Sequence, residues 1–276
     1  MAPKSFPLKI KRASEHFDAL KQAVEWWADS YPYAIEEEID TETDTKTVYL
    51  IADRPPSPRL SLMLGDTIQN YRSALDYLVG DLARSNVPGE LSRSVERRLQ
   101  FPITTSRENL KTAVREQGRL DCVPLRAGAY IQRLQPYRRG QDFTTRYLWM
   151  LQKLSNIDKH RHIPLLITRV RSVHVIGAGK TTEIFSGGPL VDKAKLVSFS
   201  PADADVQVDL DSLRLDIALG EGLPGAGQRM LPFIDQMLAG ISASVFTPLA
   251  RECLNGPFEG PPSHLGNLSP EGIVPT

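Results

Sequence analysis

The segment from Arg59 to Arg84 constrains this chain more than any other. Its apolar residues Leu60, Leu64, Ile68, Tyr71, Leu75, Leu78 and Leu82 recur at steps of three and four, the period of one helix face. The segment therefore reads as a long helix with a buried stripe that other elements must cover. At about 100° per residue, Arg72 and Asp76 share one border of the stripe, and Asn70 and Tyr77 share the other. Arg72 and Asp76 stand four residues apart and can pair along the helix, which at an exposed edge contributes about 0.3–0.5 kcal/mol.

A second long helix is expected over Phe143 to Arg161, with Phe143, Tyr147, Met150, Leu151, Leu154 and Ile157 as its stripe. It ends in Ser155-Asn156-Ile157-Asp158-Lys159-His160-Arg161-His162, just before Ile163-Pro164. Asp158 falls about 20° from Tyr147 in projection, inside the apolar arc, with Arg161 at its margin. A carboxylate there needs a partner, because an unpaired buried charge is costly. Arg72 on an antiparallel neighbour is the candidate, since a guanidinium fork suits bidentate pairing with a carboxylate.

Around these two helices the chain reads as one α+β domain over residues 1–254, its helical part over 14–162. A first helix from Ser14 to Ser30 carries Phe17, Leu20, Val24 and Trp27, with Ser14 as its N-cap. Residues 33–53 suggest a β-hairpin around a polar bridge, and Arg54-Pro55-Pro56-Ser57-Pro58 opens the organising helix. Phe101-Pro102-Ile103 looks like an apolar anchor, followed by a helix from Ser106, its cap, to Gln117, with Gly118 as its stop. Another helix spans Pro124 to Leu134, before a turn set by Pro136 and Gly140. From Ile163 to Leu219 the period becomes strand-like, and the turn spacings suggest four antiparallel strands in one sheet that the hairpin can join. A closing helix covers 228–254, with Pro248 set to kink or shorten it.

Lys+Arg and Asp+Glu balance at 33 each, which argues against a protein whose main task is coating nucleic acid or anionic membrane, although a local basic patch can sit within a neutral total. Cys122 and Cys253 are too few for a disulfide framework or zinc cluster and read as reduced thiols. The first residues lack the apolar run of a signal peptide or anchor, so the cytoplasm is the default and no membrane partner is expected. Gly177-Ala178-Gly179-Lys180-Thr181-Thr182 lacks the spacing and the following helix of a phosphate loop, and reads as a hairpin turn. His160 and His162, with His174, do not complete a metal ligand set, and Glu36 to Glu38 read as a solvated strand face; no cofactor is expected.

The runs Leu64-Gly65-Asp66, Asn70 and Arg72-Ser73-Ala74-Leu75-Asp76 on one helix, with Asn156 to Arg161 ending another, resemble an uncharacterised bacterial protein family. That family's usual form has histidine at the positions of Gln69 and Tyr77. An arginine, four residues and a histidine is similar to the signature of the HEPN superfamily, helical domains that include metal-independent ribonucleases and many inactive members. The resemblance implies that Arg72 occupies the arginine position and Tyr77 the histidine position. A tyrosine titrates near 10, too high for a neutral-pH base.

Two functions follow. In the first, the long helices pack through a polar cluster of Arg72, Asp76, Asn156, Asp158, Lys159 and Arg161, bordered by Asn70 and Tyr77, and the protein is a non-catalytic binding or assembly module. In the second, an HEPN-like ribonuclease or phosphodiester-processing enzyme uses Arg72 with His160 or His162. RNA or a protein is the expected partner, and a homodimer would bring distant residues together. The tail, 255–276, is rich in Pro, Gly and Ser and is expected to be disordered. Deleting it should leave the melting temperature within error in a thermal scan, and a loss of several degrees would show that it docks.

Overall fold

A computed structural model describes residues 5–30, 33–52, 54–177, 180–184, 193–200 and 207–254; the expected tail lies outside them. In order, the elements are α1 (Phe6–Asp29), β1 (Tyr33–Asp40), β2 (Thr45–Ala52), α2 (Pro58–Asn86), α3 (Arg93–Arg98), α4 (Arg107–Lys111), α5 (Leu125–Arg133), α6 (Tyr147–Asp158), β3 (Leu165–Gly177), β4 (Lys180–Ile184), β5 (Lys193–Phe199), β6 (Gln207–Leu219), α7 (Met230–Ile241) and α8 (Thr247–Cys253). The fold is α+β with antiparallel strands, as the sequence indicates.

The described residues divide into two compact units. One comprises residues 5–14, 69–152 and 234–254, the other draws on Glu15–Ile68 and Lys153–Phe233, so that α1, α2, α6 and α7 are each divided between them.

In the first unit, α1 begins well before Ser14, because Phe6, Ile10 and Ala13 continue its buried stripe. Its first turn is capped from α2: Asp81 accepts from the Ser5 and Phe6 amides at 2.7 and 3.0 Å and from the Ser5 hydroxyl at 2.7 Å. A carboxylate at that end satisfies amides that have no intrahelical acceptor and complements the helix dipole. Phe6 stacks on Phe246 with centroids 5.6 Å apart, and Tyr71 meets Phe246 edge-on at the same separation. The Tyr71 hydroxyl donates to the Leu238 carbonyl at 2.6 Å, leaving the Ser242 hydroxyl as the donor in their mutual bond. Burial pushes the Tyr71 phenol up.

Pro248 interrupts the closing helix as expected, and the structure shows how the break is absorbed. A π-turn over Ser242–Phe246 carries the chain from α7 to α8. Proline has no amide to donate to the Ser244 carbonyl, and the Tyr130 hydroxyl of α5 takes that place at 2.9 Å. Met230–Cys253 is long and apolar enough to cross a membrane by length and composition, yet half of that window is buried inside the protein, as in a core helix.

The second unit holds the strands, and they form two three-stranded antiparallel sheets rather than the single expected one, in the orders β1-β2-β5 and β4-β3-β6. Charge complementarity accounts for the place of β5. Lys193 lies 3.0 Å from Glu36, bonds Glu38 and sits 4.1 Å above the Tyr49 ring, so it neutralises the acidic face of β1 across β2. The opposite face buries Val48, Leu50 and Leu196. In β6, Leu213, Leu215, Ile217 and Leu219 are buried as the alternation indicates, and Asp216 pairs with Arg229 at 2.7 Å. Gly177 pairs with Lys180 in a hairpin register, and a strand follows where a phosphate loop needs a helix; Ala178 and Gly179 lie outside the described residues.

The bond from Lys193 is the main cause holding the Glu38 carboxyl below its ordinary 4.5. Because the folded value is depressed, this stabilisation is present above the unfolded value and is lost as pH falls through the folded one. Carboxyl NMR titration should give a Glu38 midpoint below 4.5 that rises on Lys193→Ala. An identical midpoint in the variant would show that the pair has no energetic content.

Candidate functional site

Arg72 is only 6% exposed, so the border of the α2 stripe is a buried place, not a solvated edge. Its guanidinium makes three bonds: Nη1 to Asp76 Oδ1 at 2.7 Å, Nε to Gln152 Oε1 at 2.9 Å and Nη2 to the Phe101 carbonyl at 3.1 Å. The Phe101 amide in turn donates to the same Asp76 oxygen at 2.9 Å. Arg72, Asp76 and the Phe101 backbone thus form a closed ring.

Phe101 precedes Pro102, which disfavours helical backbone, and Pro102 has no amide of its own. The fully buried Phe101 places these extended peptide groups where water does not replace a missing partner. Side chains supply the partners. Gln135, 1% exposed, continues the device: its Nε2 donates to the Pro102 carbonyl at 2.8 Å, and its Oε1 accepts from the Thr104 amide at 2.9 Å. The expected apolar anchor is therefore real, and its backbone is bonded by Arg72 with Asp76 at one end and Gln135 at the other.

The opposite border of α2 is looser. Lys9 of α1 reaches Asn70 Oδ1 at 3.4 Å and lies 5.4 Å from the centre of the Tyr77 ring, so it joins the two residues that the helical projection places together. Tyr77 is 44% exposed.

The end of α6 belongs to the second unit. The helix stops at Asp158, short of the expected Arg161, and the amides of His160 and Arg161 both bond the Ile157 carbonyl. Its start is also later than expected, at Tyr147: Phe143 belongs to the preceding 3-10 turn, Pro136–Thr145, and packs edge-on against Trp149. Asp158 is half-buried against Gly65 of α2; a Cβ at Gly65 would overlap its carboxylate, with Cγ 2.7 Å away. Ser61, one turn earlier on α2, donates to the Ile163 carbonyl at 2.7 Å. Asn156, Lys159, His160, Arg161 and His162 are exposed.

The guanidinium bonds Asp76, Gln152 and Phe101 within the first unit, whereas Asp158, the partner expected from the sequence, belongs to the second. Gln152 and Gln135 carried no sequence signal, since a glutamine on a helix gives no hint of which backbone it will meet. Gly65 did carry one: a glycine retained inside a long helix marks a close approach. Among the described residues no group of three or more His, Cys, Asp or Glu could hold a metal ion. Comparison with protein-family models, curated proteins and solved structures finds no match.

Removing Asp76 strands the buried guanidinium and frees the Phe101 amide, whereas removing Arg72 leaves a carboxylate that is about a third exposed to water. Asp76→Ala should therefore cost about 3–5 kcal/mol in urea unfolding and Arg72→Met clearly less, with the double variant less than additive. Equal, additive losses would refute the ring. Gly65→Ala should lower the melting temperature in the native background and raise it beside Asp158→Ala, where helix propensity is no longer opposed by overlap. A rise in both backgrounds would show that Asp158 yields without cost.

Proposed function

We propose that this chain is a non-catalytic binding or assembly module whose Arg72 network is a structural clamp. The observation that supports this reading is the state of the arginine: 6% exposed, bonded through Nε and both terminal nitrogens, and closed against a buried backbone segment. A cation that is to hold a phosphodiester must offer its donors to the ligand, and three of the five N–H groups of this buried guanidinium are already engaged within the protein. Free thiols at Cys122 and Cys253 suit a reducing compartment, in keeping with a cytoplasmic protein.

The HEPN-type alternative requires Arg72 to work with His160 or His162, and it makes a different demand in solution. Purified protein incubated with mixed RNA and a chelator should leave the RNA intact. His160→Ala with His162→Ala serves as the control, since both positions are exposed and the variant should fold. Metal-independent cleavage that disappears in this double variant, at unchanged melting temperature, would overturn the proposal.

A further inference from the structure

The net charge of the chain is zero, but its basic residues are not evenly spread. Residues 124–146, all within the first unit, contain five arginines, Arg126, Arg133, Arg138, Arg139 and Arg146, and a single acid, Asp142. This stretch is α5, the 3-10 turn Pro136–Thr145 and Arg146, the residue before α6. It is held firmly. Buried Gln135 pins its start to the Pro102 and Thr104 backbone, the Thr145 hydroxyl donates to the Asp142 carbonyl at 2.7 Å, and the Arg146 amide donates to the Phe143 carbonyl at 3.2 Å.

On this frame the arginines are placed but not spent. Arg138 donates through Nε to the Gln132 carbonyl at 3.1 Å and lies 5.8 Å from the centre of the Tyr137 ring, and among the described residues its terminal nitrogens make no hydrogen bond. Arg133 lies 5.6 Å from the Tyr130 ring. Partial burial, together with the positive charge of Arg139, lowers the Arg146 guanidinium from its ordinary value. Arg133, Arg138, Arg139 and Arg146 are all exposed, and among the described residues none of them forms an ion pair. Glu252 of α8 is felt at Tyr130 but makes no ion pair with Arg133. Like charges that outnumber their counter-charges are unfavourable in isolation and become favourable when an anion bridges them.

We propose that Arg133, Arg138, Arg139 and Arg146 form a binding surface for the phosphate backbone of single-stranded nucleic acid. Guanidiniums bridge phosphate oxygens through paired N–H groups, and the half-buried aromatics Tyr137, Phe143 and Trp149 in the same stretch offer faces on which unpaired bases stack. Leu125 is the one large apolar side chain that stands exposed among the described residues of this stretch, too little for insertion into an anionic membrane.

Fluorescence anisotropy of the full chain with a labelled oligouridylate measures this directly, between 50 and 200 mM salt. Four phosphate contacts give a slope of log K against log salt of about −2.8, which is a loss of about 50-fold in affinity over that range. Arg139→Ala with Arg146→Ala should halve the slope, Arg133→Ala with Arg138→Ala should do the same, and Arg97→Ala on α3, outside the stretch, should leave it unchanged. Circular dichroism melts check that each variant is folded, and either pair alone suffices if the other is not. No binding to the oligouridylate, an unchanged slope in the paired variants, an equal change with Arg97→Ala, or preference for phosphatidylserine vesicles or for polyglutamate would each overturn the proposal. Cleavage of the probe would instead overturn the non-catalytic reading and leave this surface standing, so the two claims fail separately.

Discussion

A guanidinium removed from water must be matched group for group, and the way Arg72 is matched organises the middle of the chain. Its partners are a carboxylate one turn along α2, a glutamine on α6 and a carbonyl of the extended segment at Phe101. The segment needs them as much as the arginine does, since a buried chain just before a proline has peptide groups that no helix or sheet will use. Each side satisfies the other, and an extended loop becomes part of the core. Gln135 repeats the solution one and three residues on with a neutral side chain, whose amide offers both a donor and an acceptor.

The same logic, side chains meeting orphan backbone groups, recurs at the ends and breaks of helices. Asp81 satisfies the first amides of α1, and Tyr130 answers the carbonyl that Pro248 leaves without a donor. Ser61 holds the chain just after α6 through the Ile163 carbonyl. These contacts span large sequence separations, so each ties together elements that local propensity alone would leave independent.

That pattern explains what the sequence disclosed and what it hid. The stripe of α2, the hairpin, the alternation in β6, the Ser106 cap and the Pro248 break rest on periodicity or on one residue's covalent limits, and these are local properties. The division of strands into two sheets brings Lys193 of β5 to Glu36 and Glu38, at sequence separations of 157 and 155, and no local rule contains that. Projection placed Arg72 and Asp76 together, and Asn70 with Tyr77, because both pairs lie on one helix. It did not name Gln152 or the Phe101 carbonyl as partners of Arg72, because a helical wheel fixes a direction but not which residue waits there. The late start of α6 has a similar origin: Phe143 continues the apolar spacing, but the turn set by Pro136 and Gly140 carries it in a 3-10 segment.

The central claim is that Arg72 and Asp76 exist to complete a buried backbone, and the Phe101 amide reports on it alone. Amide hydrogen exchange followed by NMR should show Phe101 exchanging only with global unfolding in the native protein, and through a local opening in Asp76→Ala. A Phe101 amide that exchanges rapidly in the native protein, or at the same rate with and without Asp76, would contradict the account and return Arg72 to the pool of cations available for chemistry.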